Sequence, residues 1–210
     1  AIRDETDAVD INLSYFEFPP GATYIFGETY ITMVAGFHEP PEGWDLIDES
    51  EERNAISIVI RLQYKNKSIL FTGDTVGRHI ESPIGTNIAA EKFMIDNSEV
   101  ITIDSDVMIA PHHGANNASS TDFIKAVSPD FVIFSAGHKY QHPRASAVKR
   151  YTDNGVNPNN IFRTDLGDDE GEKEWNLGRI SNHKDNAGDD DVDILIRPDG
   201  DVLVEYRDSQ

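Results

Sequence analysis

The sequence predicts an α/β fold on a mostly parallel sheet, and three observations carry that expectation. Residues 67–71, the runs leading to His112 and His138, and residues 160–163 are apolar and β-rich, and they alternate with segments of helical spacing. The chain has 210 residues, 38% of them hydrophobic, enough for one large domain or two small ones with a real core. Three of the apolar runs end in groups that can bind a metal. These are Ser68-Ile69-Leu70-Phe71-Thr72-Gly73-Asp74, Asp106-Val107-Met108-Ile109-Ala110-Pro111-His112-His113-Gly114, and Phe131-Val132-Ile133-Phe134-Ser135-Ala136-Gly137-His138, with His142-Pro143 close behind. Ligands of open α/β sheets bind beyond the carboxyl ends of the strands, so these clusters can converge although they are distant in sequence.

Residues 29–35 alternate as a strand does, whereas 37–53 carry Pro40-Pro41, Gly43 and a run of acids and read as a loop. Residues 55–64 and 67–71 are β-rich and flank Lys65-Asn66, a hairpin signal. In 86–97, Ala89, Phe93 and Met94 recur at helical spacing; Ser119-Ser120 cap a short helix in which Phe123, Ile124 and Val127 share a face. His142-Pro143 opens a third helix to about Tyr151, because Pro suits the first helical position. The tail differs. Segments 166–174 and 185–193 are acidic, Gly-containing loops, and 193–197 with 201–206 form a hairpin extension around Pro198-Asp199-Gly200. Counted from Asp165, Glu170 stands where a calcium loop needs Gly and Asn176 where it needs Glu, so these loops read as solvated.

A net charge of −20, from 38 acids against 18 Lys and Arg, repels polyanions and disfavours sequence-independent nucleic-acid binding. A local basic groove or a bound metal can override it. The absence of cysteine excludes disulfides, thiolate ligands and a cysteine nucleophile. No apolar stretch approaches the roughly 20 residues that span a bilayer, so no membrane role is expected and a cytoplasmic location is the working expectation. No phosphate-binding G-x-x-x-x-G-K-[ST] or G-x-G-x-x-G follows a strand, which weakens a nucleotide-binding reading.

Five ordered motifs resemble the competence-type (ComEC-like) metallo-β-lactamase domains: Asn54-Ala55-Ile56-Ser57-Ile58-Val59-Ile60, Leu70-Phe71-Thr72-Gly73-Asp74, Ala110-Pro111-His112-His113-Gly114, Ser135-Ala136-Gly137 with His142-Pro143, and Arg163-Thr164-Asp165. The resemblance covers roughly residues 20–183. It implies the αββα sandwich, mainly its C-terminal half, with metals at the edge between two sheets. It also implies a metal-dependent hydrolase acting on a phosphodiester or related ester, with nucleic acid among the family's substrates.

The family's H-x-H-x-D-H signature does not occur, and the only His before Asp74 is His38. Since Ala1 reads as a processing boundary, we expect the first half of the fold on a further segment or partner chain; the other reading is that part of the metal site has been lost. A partner segment or homo-oligomer would then cover the exposed sheet face. A non-catalytic scaffold or protein-interaction module is the rival, its acidic surface steering a basic partner.

The resemblance and the donor chemistry together name the site. Zinc or manganese, two ions in a complete fold, accepts carboxylate and imidazole ligands. Asp74 is expected to bridge, with His112 and His142 as imidazole ligands. Adjacent strand residues point to opposite faces, so His113 is expected either to orient the site or to reach a substrate phosphate, and Asp74 and His113 are the catalytic pair. His138 and Tyr140 have either a substrate-side role or plain exposure, and Arg144, like Lys139, is placed to neutralise a phosphate. Asn54 and Ser57 are expected to fix backbone near the site, and His79 and His183 to lie on the surface.

Overall fold

Seven strands pair in chain order in the computed structural model, which describes residues 19–83, 85–165, 173–175 and 191–207. They are β1 (Thr23–Phe26), β2 (Thr29–Ala35), β3 (Val59–Tyr64), β4 (Lys67–Phe71), β5 (Val107–Ile109), β6 (Phe131–Phe134) and β7 (Ile161–Arg163). Pairings from β1 to β4 are antiparallel and those from β4 to β7 parallel, so the sheet is mixed rather than mostly parallel. Connection length accounts for the pairs β1–β2 and β3–β4 and for the parallel half, while β2 and β3 are antiparallel although a long segment carrying a helix joins them. Gly27-Glu28 and Lys65-Asn66 are two-residue turns that can only reverse the chain, whereas β4 to β7 are joined through helices that cross back over the sheet.

Those helices are α2 (Ala89–Asp96), α3 (Thr121–Val127) and α4 (Ala145–Asp153). Strand alternation sends Leu70, Met108, Val132, Phe134 and Ile161 into one core with Met94, Phe123, Ile124, Val148 and Tyr151 of the helices. The opposite residues Ile69, Val107, Ile133 and Phe162 pack against Val204 of the hairpin β8 (Val192–Ile196) and β9 (Val202–Tyr206). Each large apolar side chain so buried contributes roughly 1.5–3 kcal/mol relative to exposure. The α/β class is thus observed, with helices on one sheet face and strands on the other, the layering of the C-terminal half of an αββα sandwich.

Four boundaries differ from expectation. The acidic run inside 37–53 is a helix, α1 (Glu49–Ala55): Asp48 accepts from Ser50 N and Glu51 N at 2.9 Å, and Glu49, Glu51 and Glu52 sit in the first turn, where they oppose the helix dipole. The following strand therefore starts at Val59, not at residue 55. The helix expected from 86 begins at Ala89. Pro143 precedes the Arg144 N-cap of α4 and does not open the helix. The acidic segments 166–172 and 185–190, with Glu170, Asn176 and His183, lie outside the described residues. Among the described residues no helix is long and apolar enough to cross a membrane.

Candidate metal centre

Three loops at the carboxyl ends of β4, β5 and β6 build the site. After β4 the Thr72 hydroxyl donates to Ile109 O at 2.6 Å, the Gly73 carbonyl accepts from His112 N at 3.0 Å, and Asp74 N donates to Ser57 Oγ at 3.2 Å. Ser57 thus fixes backbone as expected. His112 and His113 do not continue β5: they lie in the turn Pro111–Gly114 with left-handed backbones, φ 48 and ψ 42 for His112 and φ 55 and ψ 16 for His113. The alternation argument fails there, because neither residue is extended. Gly114 closes the turn. With φ +81, a Cβ on it would lie 2.6 Å from Pro143 Cβ and 2.7 Å from Phe134 Cδ1, so only glycine lets this loop touch the one carrying His142.

The loops bring four expected residues together. His113 Nε2 lies 3.0 Å from Asp74 Oδ1, and His113 Nδ1 bonds the Ser135 carbonyl. Both partners are hydrogen-bond acceptors, the Asp74 carboxylate and the Ser135 carbonyl. Ring centroids are 6.1 Å apart for His112 and His142, 6.4 Å for His112 and His113, and 6.5 Å for His113 and His142. His112 is fixed in one tautomer: Nδ1 donates to Asn117 Oδ1 at 2.9 Å, and Nε2 accepts from Asn54 Nδ2 at 3.1 Å. Burial lowers its pKa, partly offset by Asn117 and Asp74. Burial, then the neighbouring Arg144 charge and the other two rings, lowers the His142 pKa to about 4. Both rings are therefore neutral at pH 7, the form that binds a metal.

Imidazole and carboxylate are donor types a divalent ion takes, but His112 Nδ1 donates to Asn117 and its Nε2 is occupied by Asn54. The spacing is open: two imidazoles on one tetrahedral zinc hold their centroids about 5 Å apart. Among the described residues no group of three His, Asp or Glu is gathered closely enough to hold an ion.

The remaining expectations are placed as follows. The Tyr140 side chain is 61% exposed, with its ring 6.3 Å from His142 and Lys139 Nζ 4.9 Å from it. His138 belongs to the turn His138–Tyr140, and its side chain lies outside the described part. Arg144 lines a cavity of about 530 Å³ with His112, His142 and Lys173. Asn54 acts on the His112 ring, not on backbone. His79 is not a bare surface residue: it pairs with Asp45 at 3.1 Å and lines a second cavity of about 380 Å³ with His112. Sequence reasoning missed Asn117 and Glu51. Asn117 Nδ2 donates to Glu51 Oε1 at 3.4 Å, extending the His112 contact into α1. The Asn116-Asn117 pair after the His-His turn was the available signal, but its partner lay in a segment read as loop. The buried Arg163 was seen only as part of a motif; its guanidinium donates to the His142 carbonyl at 3.3 Å, to Trp175 O at 2.6 Å, and to Glu174 and Asp165 at 2.7 Å each.

No family model matches the chain. It is 30% identical to competence protein ComA of Neisseria gonorrhoeae over 147 residues, 65% of this chain and 19% of that protein. The chain thus spans about a fifth of the length of that curated relative. Among solved structures it is similar to CmlA, a diiron β-hydroxylase from Streptomyces venezuelae, with 15% identity, a TM-score of 0.41, and coverage of 69% of this chain and 32% of that one. A variant of CmlA gives 14% identity, a TM-score of 0.42, and coverage of 69% and 31%. These overlays are too loose to carry site residues across.

Proposed function

We propose that the chain is part of a metal-dependent hydrolase of the metallo-β-lactamase superfamily, of the competence type, that acts on a phosphodiester or related ester. The convergence of Asp74, His112, His113 and His142 from three strand-end loops carries this reading, and the similarity to a competence protein supports it. Asp74, His112 and His142 hold zinc or manganese, with further ligands supplied by another segment or chain, consistent with the open spacing of the rings. A metal held there would lower the pKa of a bound water and offset negative charge developing on the ester. His113 anchors the Asp74 carboxylate and faces the substrate. Asn117 orients the His112 ring through Nδ1, and the Asn54 amide, which donates to Nε2, would give way to a metal on that nitrogen.

Elemental mass spectrometry of the wild-type and Asp74→Ala chains, dialysed against trace zinc and manganese, tests the reading. Near-stoichiometric metal in wild type and its loss in the variant are expected. Metal-free wild-type chain would show that Asp74, His112 and His142 do not hold the ion by themselves, leaving either the second half of a site or a scaffold that has abandoned the chemistry.

A further inference from the structure

Four of the chain's 18 Lys and Arg side chains gather around Asn116 and Ser146, and among the described residues none of the four is paired with a carboxylate. Asn116 and Ser146 line a cavity of about 530 Å³ together with Arg144 and Lys173, and no carboxylate belongs to its described lining. From behind, Arg78 donates to the Asn116 carbonyl, and Arg150 to the Ser146 carbonyl at 3.2 Å. Arg150 also donates to Ala118 O and Ser119 O, and Arg78 to Ile80 O and Ser82 O, so neutral carbonyls satisfy both. Like charges packed together repel. The Arg150 pKa is lowered, by burial first and by the Arg78 charge second, and Tyr151 and Glu91 offset only part of this. Glu174, next to Lys173, is buried on Arg163 at 2.7 Å, while Asp48, Glu51 and Glu81 line the other cavity, beyond Ile80.

A cleft lined by one sign of charge focuses the field and concentrates counter-ions. Its volume also lies within the range of small-molecule sites, roughly 300–1,000 Å³. Two of the four cations keep donors for a ligand. Arg144 makes one side-chain hydrogen bond, from Nη1 to the neutral Gln141 amide at 3.4 Å, and Lys173 makes none among the described residues. The Ser146 N–H, in the first turn of α4, also has no acceptor among the described residues. We infer that this cavity is a binding site for a dianionic phosphate, free or at the end of a small ester, held by Arg144, Lys173 and the Ser146 N–H without a metal. Two free cations balance two negative charges. An internal phosphate of a nucleic acid carries one, and its neighbours would meet Asp48, Glu51 and Glu81 in a chain of net charge −20. Asp74 is not in the described lining, and no bond is made or broken at this site.

Equilibrium binding to the full chain in the presence of a chelator tests the site. The probes are inorganic phosphate, glycerol 3-phosphate and an eight-residue thymidine oligonucleotide without terminal phosphates, at about pH 8, well above the second pKa of about 6 of a phosphate monoester. Saturable binding of one phosphate per chain is expected. Arg144→Gln and Lys173→Gln should each weaken it on the order of tenfold, the loss of one charge-assisted contact. Lys125→Gln, which removes the same charge from an exposed position outside the lining, should leave it unchanged. Tighter binding of glycerol 3-phosphate than of inorganic phosphate identifies the small ester as the source, and any other order of the two identifies the free ion. No saturable phosphate binding, equal weakening by all three variants, a requirement for added zinc, or tighter binding of the oligonucleotide would overturn the assignment. Metal content of the wild-type and Asp74→Ala chains bears on the metal reading alone, so the two fail separately.

Discussion

Replacing Glu91 by Gln is expected to destabilise the fold by about 3 kcal/mol and to loosen the loop that orients His112. Glu91 has no exposed surface; its Oε1 accepts from Ser119 N at 2.6 Å and its Oε2 from Ser120 N at 2.7 Å. Burial pushes its pKa up, and the Ser120 and Ser119 hydrogen bonds with the Arg150 charge pull it back. Two backbone donors aimed at two oxygens need an acceptor on each side. An amide offers one oxygen and turns its NH2 on the other donor, so a charge-assisted bond worth roughly 1.5–3 kcal/mol is lost and a buried N–H left unpaired costs about 1–3 kcal/mol more. Glycine at position 77 is part of the same fit, since a Cβ there would stand 1.9 Å from the Glu91 carboxyl carbon. Urea unfolding of the wild-type and Glu91→Gln chains measures the loss, and in a domain of this size about 3 kcal/mol lowers the melting temperature by on the order of 10 °C. Zinc uptake should weaken in parallel, because Asn117 is two residues from Ser119. A loss under about 0.5 kcal/mol would show that the two contacts do not hold this loop.

The other predictions concern the site directly. His113→Ala should reduce turnover more than metal content; equal loss of both, by kinetics and elemental analysis, would make His113 a ligand. Asn117→Ala should weaken zinc by roughly 10- to 100-fold, the usual loss when the partner of a ligating imidazole is removed, and unchanged affinity by competition with a chelator would refute the role. His142, with a folded pKa of about 4, makes stability present above pH 6.5 and lost as the pH falls toward 4, because the unfolded chain takes up the proton first. For a half-exposed ring this amounts to roughly 1 kcal/mol after screening, and His142→Gln should flatten that part of the metal-free stability profile.

What could be read in the sequence was what depends on local pattern. Alternation placed β4 to β7, and the strand-end rule for α/β sheets gathered Asp74, His112 and His142 without any knowledge of distance. The failures share a cause. The segment holding α1 was obscured by the same acids that cap and charge its first turn, so its Glu51 was not available as a partner for Asn117. The His112-His113 turn adopts left-handed backbone that periodicity cannot foresee, and the opposite-faces argument of a strand therefore does not apply to it. Arg163 lies in a buried strand with a motif to mark it, yet its contact with the His142 carbonyl exists only once β6 and β7 are paired.

Loops at strand ends tend to be the least stable part of an α/β domain, yet both loops that carry imidazoles here are held from behind by buried charge. Glu91 and Arg150 grip residues 118–120 from two sides, Arg150 donating to Ala118 O and Ser119 O at 2.8 Å. Arg163, 1% exposed, grips the carbonyls of His142 and Trp175. Taking an ion out of water costs several kcal/mol, and a simple apolar packing would avoid that cost. What an apolar side chain cannot do is bond loop backbone at fixed points. The three side chains spend their hydrogen bonds on the loops that carry Asn117 and His142, and this is the arrangement expected of a site whose rings must be in place before a ligand arrives.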